Sequence, residues 1–250
     1  SLVLLSLGMF SLFLDLEHKL YVWRLYMTFE ITSPMSWGSW ILLLVYPSLF
    51  LNTLVRIPEA FSNRIHLFDK FSERINAHPY LIKNIGVLNM IVGAILGIYT
   101  GVLLSGLAAR PLWNSSMLWI LFLTSGLSAA AAFVHLVTTD AVEREISAKA
   151  DNAFLIFELF VITLFIVGML SSARAQQSAA LLILNGPYAS VFWVFVVGCG
   201  IIIPLIIQLL AVNHKIQHTP IAPVMVILGG LILRFVIVYA GQASHWTIVH

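Results

Sequence analysis

The sequence predicts an all-α protein, a polytopic transmembrane helix bundle, and three observations carry that prediction. Hydrophobic residues make up 60% of the 250 and charged residues 10%, against about 45–50% and about 25% in a soluble domain. Mean hydropathy is +0.97. The charges gather between apolar runs of about 20 residues, the length that crosses a hydrocarbon core of about 30 Å.

Seven such runs are visible: 1–14, 37–55, 84–108, 115–139, 153–171, 188–212 and 220–241. The chain opens with Ser1, without Met or a charged leader, and enters the first run at once. A preceding piece is therefore expected, giving eight helices in the full protein and two four-helix-bundle-like halves. The whole of 1–250 reads as one transmembrane domain, with no soluble domain between the runs.

Segment 15–36 carries Tyr21, Trp23, Tyr26, Phe29 and Pro34, followed by Trp37 and Trp40. That aromatic density suits an interfacial or re-entrant stretch at headgroup depth. The loop 56–80 mixes Phe61, Ile65, Phe68 and Phe71 with charges and reads as an amphipathic surface helix. In the third run Asn89, Gly93, Gly97, Gly101 and Ser105 recur every four residues, a stripe that lets a neighbouring helix approach. The loop 172–187 holds a short apolar piece, Leu181 to Leu184, and Pro204 predicts a kink in the sixth run.

Alternate connections differ in basic residues. Arg56, Arg64, Lys70, Arg74, Lys83, Arg144, Lys149 and Lys215 fall on one side; Lys19, Arg24, Arg110 and Arg174 fall on the other. The positive-inside rule makes the first side cytoplasmic and the C-terminus external, as for a multi-pass protein of the cell inner membrane.

Ionisable residues within the spans are few, so they are the candidates for function. His135 is the histidine clearly inside a span, which argues against a haem held by two histidines. The single cysteine, Cys199, can form neither an internal disulfide nor a cysteine cage for an iron–sulfur cluster. No haem or metal is expected in this chain, and no nucleic-acid partner. His135 and Glu158 both read as lying within two helical turns of the cytoplasmic surface, where they can pair and carry protons inward. Arg234 lies in the outer half of the last run and is expected to pair with Asp15, Glu17 or Glu30, or with a ligand carbonyl. At similar depth the Tyr99 hydroxyl can meet the carbonyl of a flat apolar ligand.

Five segments occur in a telling order: Leu14-Asp15-Leu16-Glu17-His18, Ser33-Pro34-Met35-Ser36-Trp37-Gly38, Tyr99-Thr100-Gly101, Arg110-Pro111-Leu112-Trp113-Asn114, and Ser125-Gly126-Leu127-Ser128-Ala129. In these the chain resembles the NrfD-type family, which includes the membrane subunit of polysulfide reductase. The likeness runs from Asp15 to about Glu158 and is fainter over the last two helices. It implies a subunit without a cofactor of its own, which exchanges electrons between membrane quinone (menaquinone or ubiquinone) and a docked four-cluster ferredoxin-like iron–sulfur subunit. A molybdopterin or other catalytic subunit stands behind that partner. The resemblance puts Tyr99 beside the quinone headgroup, with Asp15 and Arg234 able to position it. Arg24, Trp37, Arg110, Trp113 and Asn114 are then candidates for partner docking. Two other readings stay open: a transporter or proton channel using His135, Glu158 and Arg234, and a purely structural membrane anchor.

Overall fold

A computed structural model describes residues 2–15, 21–27, 30, 33–60, 78–106, 110–213 and 219–245. The described residues form nine helices: α1 (Leu2–Asp15), α2 (Val22–Met27), α3 (Pro34–Ala60), α4 (Pro79–Gly106), α5 (Leu118–Val137), α6 (Ala141–Leu170), α7 (Arg174–Leu184), α8 (Val191–Val212) and α9 (Ile221–Ala243). Among the described residues, five helices are long and apolar enough to cross a membrane: Tyr80–Gly106 within α4, then α5, α6, α8 and α9. The protein is an all-α integral membrane protein, as the composition predicts.

The chain packs as two compact units, Ser1–Tyr99 and Thr100–His250. In the first, Asn89 of α4 ties to α3: its amide Nδ2 donates to the Ser48 carbonyl at 3.1 Å and its Oδ1 accepts from the Ser48 hydroxyl at 2.9 Å. Asn89 thus serves as a cross-helix link, and Gly101 of the same stripe lets the Trp119 backbone of α5 come close, as expected. A side chain at Gly93 would meet nothing within 4 Å. The amphipathic helix expected over 56–80 falls mostly outside the described residues.

In the second unit, α5 and α6 form an antiparallel hairpin around the turn Thr138–Asp140. Asp140 caps α6 by accepting from the Val142 amide at 3.2 Å. With Glu143 in the first turn and a Glu145–Lys149 pair at 2.7 Å, the helix begins about twelve residues before the expected 153. Capping and local pairing extend a helix through a stretch that hydropathy alone places outside the span. The core is built from Leu112, Leu121, Leu155, Phe165, Leu233 and Ile237.

Between apolar helices surrounded by lipid, close backbone approach and hydrogen bonds supply the association that hydrophobicity cannot. One close approach in this unit is Gly200 of α8 against Gly229 of α9, where a Cβ on Gly200 would lie 2.7 Å from the Gly229 Cα. The kink expected at Pro204 takes the form of a register change. A π-helical stretch, Val191–Ile202, passes into α-helix at Ile203, so Pro204, which has no N–H to give, stands in the first α turn. The apolar piece Leu181–Leu184 closes α7, which buries Ala179, Ala180 and Ile183.

Candidate functional site

Tyr99 is half-buried, and the hydroxyl end of its phenol lies against Gly38 of α3. The Gly38 backbone N–H hydrogen-bonds the phenolic oxygen. A methyl group at position 38 would overlap the ring and its hydroxyl. The Ser-Pro-Met-Ser-Trp-Gly segment therefore ends on a residue whose missing side chain makes room for a tyrosine about sixty residues further on. Because its oxygen accepts from Gly38, the phenol keeps its own O–H for another acceptor, and none is found among the described residues. The start of α3 is fixed locally: the Ser36 amide donates to the Ser33 carbonyl at 3.1 Å, and the Ser36 hydroxyl accepts from the Glu30 amide at 3.0 Å.

The second unit buries a polar ladder. Glu158 is 4% exposed in an otherwise apolar stretch of α6. It hydrogen-bonds Ser125 of α5 and feels the charge of Arg234 on α9. The guanidinium donates from Nη1 to Ser125 Oγ at 3.4 Å and to the Gly230 carbonyl at 2.7 Å, and it lies 5.8 Å from the centre of the Phe122 ring. Ser125 thus mediates between cation and carboxyl. Gly230 leaves the space they need, since a Cβ there would stand 3.0 Å from Ser125 Oγ.

Two turns back along α6, Asp151 is fully buried. It accepts from the Ser128 hydroxyl at 2.7 Å and from Gln208 Nε2 of α8 at 2.7 Å. Gln208 and the buried Asn152, which follows Asp151 on α6, each keep a side-chain carbonyl oxygen with no hydrogen-bond partner among the described residues.

The structure bears on two expectations from the sequence, although Glu17 and the side chain of Asp15 lie outside what it describes. Arg234 has its partners within its own unit, in Ser125, Gly230 and Phe122, with Glu158 supplying the negative charge. Glu158 and His135 are separated: Glu158 meets Ser125, ten residues before His135 on α5, or about 15 Å by helical rise. His135 is buried beside a cavity of about 230 Å³ lined also by Leu136, Arg144, Thr219, Pro220 and Pro223. The early start of α6 is the cause, because it carries Glu158 well away from the hairpin turn that His135 adjoins.

The five candidates for docking divide. Arg24 is exposed and stacks on Tyr21 at 4.7 Å, while Trp37 is 44% exposed. Arg110 instead donates to the Ser244 carbonyl at 3.0 Å, and Trp113 Nε1 to the Ile237 carbonyl at 3.1 Å, with its indole pressed on Gly241. These two fasten the end of α9. The Asn114 carbonyl accepts from Gln176 Nε2 at 2.7 Å. Asp15 closes α1.

Sequence reasoning missed Asp151 and Gln208. The signal lay in spacing: Asp151 and Glu158 are seven apart on one helix face, and Ser125 and Ser128 three apart on another.

The profile of the family described as "Polysulphide reductase, NrfD" matches residues 1–245. Protein NrfD homolog of Haemophilus influenzae is 30% identical over 95% of this chain and 78% of its own length. The C chain of polysulfide reductase from Wolinella succinogenes is 27% identical over 94% and 77%, and Protein NrfD of Escherichia coli 26% over 95% and 79%. No solved structure matches the chain significantly.

Proposed function

Because the chain belongs to the polysulphide reductase NrfD family of membrane subunits, we propose that it is the quinone-reactive subunit of a respiratory oxidoreductase. In this reading it passes electrons between a membrane quinone and a docked iron–sulfur subunit, which in turn serves a molybdopterin or other catalytic subunit. The quinone supplies two-electron, two-proton chemistry in the lipid phase. Tyr99 contacts its headgroup, and the exposed aromatic and basic residues Arg24 and Trp37 belong to the partner-facing surface. The protein lies in the inner membrane with its C-terminus outside, following the distribution of lysine and arginine.

One observation carries the proposal. The Tyr99 oxygen accepts from the Gly38 amide and its O–H is left to donate, the arrangement a quinone carbonyl requires. The aromatic ring offers an apolar surface for the headgroup beside that donor. Asp15, at the end of α1, belongs to the same half of the chain and is proposed as a second polar contact. Arg234 is proposed to act through Ser125 and Glu158, holding a proton-exchanging carboxyl rather than touching the headgroup. His135 serves the proton path at the end of α5.

The test uses the intact complex purified with its partner subunits. Tyr99→Phe is expected to keep the complex assembled and to lower quinone-dependent turnover by about a hundredfold or more, the value of one lost hydrogen-bond donor to a reacting group. Photoreactive quinone is expected to label α3 or α4. Unchanged turnover in Tyr99→Phe, with labelling elsewhere, would reject the assignment.

A further inference from the structure

Quinone reduction at a membrane-embedded site takes up two protons with two electrons, and oxidation releases them. The proposed function therefore requires groups that exchange protons within the bundle. Glu158 stands out in the sequence, but its nearest described partners say nothing about how a proton reaches it. The Asp151 cluster addresses that question.

The partners of Asp151 have a distinctive chemistry. A structural carboxylate in a membrane span is ordinarily held by a cation, which fixes its charge. Asp151 is held by a hydroxyl and a primary amide, each 2.7 Å away. Both partners can serve either protonation state. A serine hydroxyl donates or accepts as it rotates, and an amide offers N–H on one side and C=O on the other. Gln208 now gives its N–H to Asp151 while its buried Oε1 has no partner among the described residues. A half-turn of the amide would present that oxygen to a protonated Asp151. The site can therefore hold or lose a proton without stranding a hydrogen-bonding group at the carboxyl.

The cluster is also connected. Ser128, bound to Asp151, and Ser125, bound to Glu158, lie one turn apart on the same face of α5. Side chains at that spacing have Cβ atoms about 5–6 Å apart, a gap that one water spans with two hydrogen bonds of about 2.8 Å. The buried Asn152 carbonyl, next to Asp151 and unpartnered among the described residues, provides a further acceptor for such water. Among the described residues, the charged group that acts on Asp151 is Glu158 on α6 itself, which in turn feels Arg234 from α9; α5 contributes Ser128 and α8 contributes Gln208.

The geometry points to a proton-exchange site at Asp151, Ser128 and Gln208, joined through the Ser128–Ser125 rung to Glu158. It rests on the quinone reading for its purpose but not for its chemistry. Each transfer is balanced: Glu158 gains one proton as Asp151 loses one, with the hydroxyls and the water each passing on a proton and regaining another. Asp151 recovers a proton from the side of the hairpin turn and Glu158 gives up the one it gained to the proton-consuming quinone reaction, so no net charge accumulates on the ladder.

The experiment uses the intact complex in lipid vesicles and has two arms. Infrared difference spectra after a pH jump, which need no quinone, are expected to contain a protonated-carboxyl C=O band that shifts in D₂O and disappears in Asp151→Asn. In the second arm, Ser128→Ala is expected to slow turnover at least about tenfold, as for loss of a positioned proton donor. KM for the quinone should not change, the solvent isotope effect should rise, and Ser128→Thr should restore the rate because it returns a hydroxyl. Asp151→Glu guards against misfolding of the asparagine variant and should keep a carboxyl band at a shifted frequency. A spectrum unchanged by Asp151→Asn would overturn the proposal, as would a Ser128→Ala complex with normal turnover. Stimulation by sodium instead of a proton response would also overturn it. A complex with the Asp151 band but no quinone turnover would refute the quinone reading and leave the exchange site standing.

Discussion

Replacing Gly38 by alanine inserts one methyl group between α3 and the Tyr99 phenol. The added Cβ would lie 2.6 Å from Tyr99 Cε1 and closer still to the Cζ and hydroxyl oxygen, against 3.4–4 Å for ordinary contact. The ring must therefore retreat by about 1 Å or more, and the hydrogen bond from the Gly38 amide breaks as it does. Overpacking of this kind costs about 1–3 kcal/mol in stability. For a group that positions a reactant, a shift of about 1 Å costs on the order of a hundredfold in rate. Gly38→Ala is thus expected to reproduce the turnover defect of Tyr99→Phe although it removes no polar group. The decisive assay compares quinone-dependent turnover in the single variants and in Gly38→Ala/Tyr99→Phe. If both changes act on one phenol, the double variant should be little worse than either single one, because the second change has nothing left to remove. Full turnover in Gly38→Ala, or defects that multiply in the double variant, would refute the reasoning.

At the α8–α9 crossing, Gly200→Ala places a methyl group 2.7 Å from the Gly229 Cα. Thermal unfolding in detergent should show a loss of about 1–3 kcal/mol. Arg234→Met leaves Glu158 with one charged neighbour fewer; Arg234→Met/Glu158→Gln should recover part of the lost stability, with a coupling of about 1 kcal/mol or more in a double-mutant cycle. Trp113→Phe deletes the 3.1 Å bond to the Ile237 carbonyl. It is expected to cost about 1 kcal/mol and to raise amide hydrogen exchange across the end of α9 while leaving exchange in α6 unchanged.

Much of the fold was legible because a lipid environment imposes a local rule. Every spanning segment must satisfy its own backbone, so an apolar run of sufficient length is a helix whatever it packs against. That rule located α4, α5, α8 and α9 to within a few residues. It failed at the start of α6, where residues 141–152 are polar enough to read as a loop. Their helix is set by the Asp140 cap and the Glu145–Lys149 pair, features that hydropathy does not weigh. The error moved Glu158 by about three turns and created the expected pairing with His135.

The sequence by itself determined the class, five of the seven expected spans, and that Glu158 and Arg234 are ionisable groups inside apolar helices. Which polar atoms meet was decided by tertiary structure alone. Position along a helix follows from counting at about 1.5 Å per residue, but facing and register against other helices depend on side-chain fit between segments distant in sequence. Gly38 gains its meaning from Tyr99, Gly230 from Ser125, and Asp151 from Gln208. Each pair joins helices from distant parts of the chain, and only their packing brings these groups within contact of one another.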